Sequence, residues 1–166
     1  MRAKFGLGYL PQESSIFSDL SVENNLLGIV ELSATDSQEA SKIVTKLIDD
    51  FGLSKILNVK GRMLSGGQRR KVEIARTLIS SPNLILLDEP FAGIDPIAVE
   101  EIKELLKEIS KQDISILITD HNVRETLSLC DRAIILVDGN IIADGTEKQL
   151  KENEYVGQKY FGKMFS

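Results

Sequence analysis

Three short, almost wholly apolar runs, at residues 84–87, 114–118 and 133–137, constrain this chain more than any other feature. Strands with so little polar alternation need cover on both faces, and the segment between the first two runs can provide it. Val99, Ile102, Leu105, Leu106 and Ile109 fall on one stripe of a helix there. Apolar strands alternating with amphipathic helices predict an α/β fold, a mainly parallel sheet with helices on both faces. Asp95 and Pro96 stand at the cap and first position of the intervening helix, and Glu100 and Glu101 favour its positive end.

Upstream, the apolar stretch 5–10 ends at Pro11 and predicts a strand followed by a loop from Gln12. Ser21 can cap a helix over about 22–32, and Val44, Leu47, Ile48 and Phe51 mark a second one that Gly52 ends. Leu64-Ser65-Gly66-Gly67-Gln68 opens another, with Val72, Ala75, Leu78 and Ile79 facing inward and Pro82 closing it. Asp138-Gly139-Asn140 predicts a hairpin turn, Thr146 to Gln149 matches a capping box, and the tail 151–166 is expected to dock on the surface. The 166 residues, 42% hydrophobic, suffice for one core. A net charge of −5 with interspersed signs offers no basic field, so nucleic acid is not an expected partner. Cys130 is single and cannot form an internal disulfide, and no apolar run approaches the roughly 18 residues that cross a bilayer. A soluble cytoplasmic location is the expectation.

The chemistry concentrates where the run 84–87 ends in Asp88-Glu89-Pro90. Ligands of open α/β sheets collect outside the carboxyl ends of the strands, so Asp88 falls where a phosphate-bound Mg²⁺ can be held. Pro90 disfavours the helical region for Glu89, predicting an extended exit that projects a second carboxylate able to polarise water. A capping pair on a solvated loop is the plain alternative. Ser65, Gly66, Gly67 and Gln68 offer a hydroxyl and the free amides of a helix N-terminus, which is an anion site, and equally a well-capped helix.

Taken together, these motifs resemble the nucleotide-binding subunits of ABC transporters, over nearly the whole chain. Gln12 in Tyr9-Leu10-Pro11-Gln12 matches the Q-loop, residues 64–68 the signature, and residues 84–88 the Walker B strand, with Glu89 as catalytic carboxylate. Ala92-Gly93-Ile94-Asp95 occupies the D-loop position, where Ser-Ala-Leu-Asp is more usual, and His121 in Ile118-Thr119-Asp120-His121 matches the switch histidine. The resemblance implies a P-loop NTPase-like α/β fold with a helical subdomain. Residues 13–80 would hold that subdomain and the signature helix, residues 81–150 the Walker B, D-loop and switch part of the core, and residues 151–166 the tail. Within the family, residues 91–99 and 118–126 resemble the lipopolysaccharide-export branch. The branched-chain amino-acid importers share the Ala-Gly D-loop, and a soluble ABC ATPase outside transport is the reading from another class.

The resemblance further implies ATP and Mg²⁺ as ligands, a head-to-tail homodimer, and two transmembrane permease subunits that hold the protein on the cytoplasmic face of the inner membrane. Ser65, Gly66, Gly67, Gln68 and Asp95 would contact nucleotide, the signature residues across the dimer. Gln12 and Asp88 would serve Mg²⁺, Asp88 through water, while Glu89 and His121 would act on the γ-phosphate. Ile16, Phe17 and Leu20 would be either a groove for a permease helix or plain subdomain core. The family's phosphate-binding P-loop, G-x-x-x-x-G-K-[ST], does not occur in the 166 residues. The expectation is therefore an N-terminally truncated domain that, as it stands, has no measurable specific ATP affinity and is inactive.

Overall fold

The structure is a computed structural model of the chain and describes residues 6–32, 37–153 and 156, with the backbone alone at 37–40 and 124. Phe5 and most of the expected surface-docked tail lie outside the described residues. The chain divides into two compact units, Met1–Thr119 and Asp120–Ser166.

In the first unit, β1 (Leu7–Leu10), β2 (Leu84–Asp88) and β3 (Ser115–Thr119) form a parallel sheet in the order β1-β2-β3. The register pairs Gly8 with Ile85 and Ile85 with Ile116, then Leu10 with Leu87 and Leu87 with Ile118. Those residues share one face, on which Leu10, Ile85 and Leu87 are buried. The opposite face carries Tyr9, Leu86 and Leu117, and both Tyr9 and Leu117 are exposed. Two helices pack on this sheet, α3 (Gly66–Leu78) against β1 and α4 (Pro96–Ser110) against β3, and they also touch each other. The inward stripe of α3 is buried at Val72, Ala75 and Leu78, and that of α4 at Val99, Ile102, Leu106 and Ile109, while Leu105 is half-buried. Each fully buried side chain of this kind contributes about 1.5–3 kcal/mol.

Helices α1 (Val22–Leu32) and α2 (Ser37–Asp50) precede α3, and α1 packs against both α2 and α3. Ser21 caps α1 by accepting from Asn24 N–H at 3.2 Å, and Gly52, with φ of 63°, terminates the α2 segment as expected. Asn25 is fully buried and organises the loop before α1. Its amide nitrogen donates to the carbonyls of Phe17, Leu20 and Ser21, and its oxygen accepts from Phe17 N–H.

The second unit holds α5 (Val123–Leu127), the antiparallel hairpin of β4 (Ala133–Val137) and β5 (Asn140–Gly145), and α6 (Glu147–Glu152). The apolar run 133–137, expected in the parallel sheet, pairs with β5 in a separate two-stranded sheet. Asp138 and Gly139 both have positive φ, 49° and 78°, the geometry of a tight hairpin turn, so this run finds its hydrogen-bond partner locally. A small core of Leu127, Ile135, Leu150 and Val156 closes the unit, and Thr146 and Gln149 complete the capping box of α6. Among the described residues no helix is long and apolar enough to cross a membrane.

Candidate functional site

The carboxyl ends of the three parallel strands place Gln12, Asp88, Glu89 and Thr119 together. Asp88 is the register partner of Thr119, so both project from one face of the sheet. The Thr119 hydroxyl donates to Asp88 Oδ1 at 2.7 Å, and the Tyr9 hydroxyl lies 3.5 Å from Oδ2. Gln12 Nε2 donates to Glu89 Oε2 at 2.8 Å, joining the loop after β1 to the residue after β2.

The backbone at Glu89 differs from the extended exit expected before Pro90. Its φ is 43°, in the left-handed region that non-glycine residues rarely adopt. Pro90 keeps Glu89 out of the right-handed helical region, but tertiary hydrogen bonds hold the chain in the left-handed one. Glu89 N–H donates to Thr119 O at 2.8 Å, and Ala92 N–H donates back to Glu89 O at 3.2 Å. Arg70 Nη2 also donates to Glu89 O at 2.9 Å, and Arg70 Nε to Pro90 O at 3.0 Å. Such a conformation costs on the order of 1–3 kcal/mol and persists only where its surroundings over-determine it.

The signature segment lies at the start of α3. Ser65 is its N-cap, accepting from Gln68 N–H while the Gln68 side chain accepts from Ser65 N–H, a complete capping box. Ser65 and Gly66 are exposed, leaving the helix N-terminus open to an anion. Gly67 is buried, and a Cβ there would stand 2.4 Å from the Ala98 Cβ, so this glycine is set by the approach of α3 to α4. Gly66 lies against the turn before α4, where a Cβ would come 3.3 Å from Gly93 O. Asp95 caps α4 by accepting from Ala98 N–H at 3.0 Å, with Pro96 at the first helical position. The starts of α3 and α4 therefore adjoin, and the D-loop residues lie beside the signature.

His121 belongs to the second unit. Its side chain is 75% exposed, with Nδ1 3.8 Å from Asp120 Oδ1. The Asp120 carboxylate is buried; Oδ1 accepts from Asn122 N–H at 2.7 Å, and Oδ2 has no hydrogen-bond partner among the described residues.

Sequence reasoning missed Arg70 and Glu73, which are 5% and 3% exposed and form an ion pair at 3.2 Å. Glu73 accepts from Ser14 Oγ at 2.7 Å and Ser15 N–H at 2.9 Å, and Arg70 Nη1 donates to Pro11 O at 3.2 Å. The signal was available: Arg70 lies three residues after Gly67 and four before Ile74, on the buried stripe of α3. Nearby, Phe17 and Leu20 are 46% and 41% exposed, and the Arg76 guanidinium sits 4.7 Å above the Phe17 ring. Burial draws the Arg76 pKa down, and the Glu73 charge opposes that shift.

Comparison with known proteins places this geometry in context. Residues 2–92, more than half of the chain, match the ABC transporter family. The lipopolysaccharide export system ATP-binding protein LptB of Haemophilus influenzae is 49% identical over 166 residues, covering 99% of this chain and 68% of that protein. The Escherichia coli K12 protein of the same name is 44% identical over 165 residues, with coverage of 99% and 68%. An ATP-binding cassette of an ABC transporter, solved in its ADP conformation, matches with a TM-score of 0.83 at 27% identity over 97% of this chain and 70% of that one. A nucleotide-free cassette matches with a TM-score of 0.80 at 27% identity, over 94% and 68%.

Proposed function

The chain belongs to the ABC transporter family as an ATP-hydrolysing subunit, and from that premise we propose that it powers lipopolysaccharide export, with Asp88, Glu89 and Gln12 serving one ATP. The observation that carries the site assignment is the meeting of these side chains at the carboxyl ends of three adjacent parallel strands, where an α/β sheet takes its ligand. The likeness to the LptB proteins supports the transported substrate.

Phosphoryl transfer from ATP to water depends on positioning and charge stabilisation more than on covalent chemistry. Glu89 accepts a hydrogen bond from the attacking water and holds it in line with the γ-phosphorus. Gln12 steers that carboxylate through its amide nitrogen, which leaves Gln12 Oε1 as the acceptor for a cation. Asp88 suits Mg²⁺, which is bound by one or two carboxylates and the nucleotide phosphates while keeping several waters. Its Oδ1 is already oriented by Thr119. When bound, Mg²⁺ neutralises charge on the phosphates. Ser65, Gly66 and Gly67 present the α3 N-terminus to the γ-phosphate of a second subunit, Gln68 holds that terminus in shape, and Asp95 keeps the adjoining turn in place. For His121, in the second unit, the role inferred from the family resemblance is a contact to a γ-phosphate. Two permease subunits dock on the face bearing Phe17 and Leu20 and hold the dimer on the cytoplasmic side of the inner membrane.

The test uses a form of the chain carrying an N-terminal P-loop segment. It hydrolyses ATP only with Mg²⁺, and Glu89→Gln stops turnover while ATP binding persists. Unchanged steady-state hydrolysis in that variant removes Glu89 from the reaction. Co-purification with lipopolysaccharide-transporting permeases, and failure to do so after Phe17→Asp, checks the transport assignment.

A further inference from the structure

We propose that Arg70 and Glu73 are positioning residues for hydrolysis: a buried ion pair on the signature helix that sets the left-handed backbone of Glu89 and the loop carrying Gln12. The proposal rests on the ATPase reading for its kinetic readout and on geometry alone for the rest.

The planar Arg70 guanidinium contacts three separate carbonyls. Nε donates to Pro90 O at 3.0 Å, Nη2 to Glu89 O at 2.9 Å, and Nη1 to Pro11 O at 3.2 Å. Nη1 also meets Glu73 Oε2 at 3.2 Å, and the other Glu73 oxygen holds Ser14 and Ser15. Every one of these backbone and hydroxyl partners lies in one of two loops, 11–15 after β1 and 89–90 after β2. Those loops carry the Gln12 and Glu89 side chains, which touch at 2.8 Å. A fork of fixed shape bonded to both loops leaves little freedom in the separation of Gln12 from Glu89, or in the turn at Glu89.

Stability is a weak explanation for such a pair, because burying two charges costs several kcal/mol before their attraction is counted, and apolar residues of similar volume commonly do as well. What apolar residues cannot supply is directional bonding to the Glu89 and Pro90 carbonyls, which holds a φ of 43° at a glutamate. Because α3 also begins at Ser65, the same helix that offers its N-terminus to phosphate grips the Glu89 turn through Arg70. Movement of that helix and the setting of Glu89 are thus mechanically linked.

Arg70→Lys keeps the charge but has one nitrogen where three directions are needed. In the P-loop-bearing form, its kcat falls on the order of tenfold to a hundredfold while KM for ATP stays within about twofold. In the same protein, the strong amide-to-α-proton NOE that reports a positive φ at Glu89 weakens, and the Glu89 amide exchanges faster with solvent. Should Arg70→Lys not fold, the double variant Arg70→Met/Glu73→Leu, which removes both charges, carries the same readouts. A folded variant with kcat within about twofold of the parent overturns the proposal. So does a retained Glu89 NOE, or a KM that rises as much as kcat falls. If the parent itself does not hydrolyse ATP, the ATPase reading fails, and the NOE and exchange measurements still decide whether the pair sets the Glu89 backbone.

Discussion

Replacing Gly67 with alanine tests the contact that brings the signature segment against the D-loop. The new Cβ would lie 2.4 Å from the Ala98 Cβ, whereas carbon atoms in contact settle at about 3.5–4.0 Å. Relief requires α3 and α4 to part by about 1 Å, a gap that forfeits a quarter to a half of each contact well it opens. Val72, Ala75, Val99 and Ile102 are buried on the same helices, so the separation is felt beyond the single clash. Overpacking of this kind costs about 1–3 kcal/mol. Alanine recovers at most about 1 kcal/mol of helix propensity over glycine, and less in the first turn. The expected net loss is about 2 kcal/mol, which lowers Tm by about 4–8 °C in a chain of this size. Ala98→Gly removes the opposing atom and costs about 1 kcal/mol alone, as glycine in a helix. In its presence Gly67→Ala should cost nothing, giving a coupling energy of about 2 kcal/mol in a double-mutant cycle measured by chemical denaturation. Additive effects, or a Gly67→Ala protein that melts higher than its parent, would refute the reasoning.

Three further outcomes follow from other parts of the fold. In the P-loop-bearing form with Glu89→Gln, Ser65→Arg leaves ATP binding by each subunit but abolishes the ATP-dependent dimer seen by light scattering; a surviving dimer contradicts a site shared across two subunits. Ser81 has a φ of 48° just beyond α3, so Ser81→Gly relieves left-handed strain and raises stability by a net of about 0.5 kcal/mol, and a lower denaturation midpoint would count against it. Asp144 is held below the ordinary carboxyl range by the double hydrogen bond from Arg132. Its contribution to stability is therefore complete above its unfolded-state pKa and lost as the pH falls through the lower folded value; an NMR titration should show its midpoint rising in Arg132→Gln.

The periodic and capped elements were legible because their signals are local. The α1 span and the caps at Ser65, Asp95 and Thr146 each depend on a few neighbouring residues, and the structure places them as expected. The Asp88-Glu89 pair was legible for a related reason, since an apolar strand that ends in two carboxylates marks its own carboxyl end. Three features were not. Run 133–137 has the composition of a buried parallel strand, and nothing within it says that hydrogen bonds to β5 decide its sheet. The rule for residues before proline excludes one backbone region for Glu89 but does not choose among the others; Thr119 and Arg70, distant in sequence, make that choice. The stripe of α3 turns Arg70 inward, but what it and Glu73 bond to was not readable, because Pro11, Ser14, Ser15 and Pro90 are distant from them in sequence.

Asn25 has a consequence for how this surface can change over evolution. The loop from Phe17 to Ser21 is held by the interior Asn25 amide together with main-chain bonds from Leu20, Gly61 and Arg62, so its course rests on bonds to its main chain and not on the side chains it displays. Phe17 and Leu20 are displayed, and Asn25 is hidden. Substitutions at the two outer positions can accumulate one at a time, each altering what the loop binds, while the scaffold that presents them stays as it is. Asn25 has no such latitude: aspartate cannot donate to the three carbonyls and leucine cannot bond at all. Lineages should therefore diverge at residues 17 and 20 long before they diverge at residue 25.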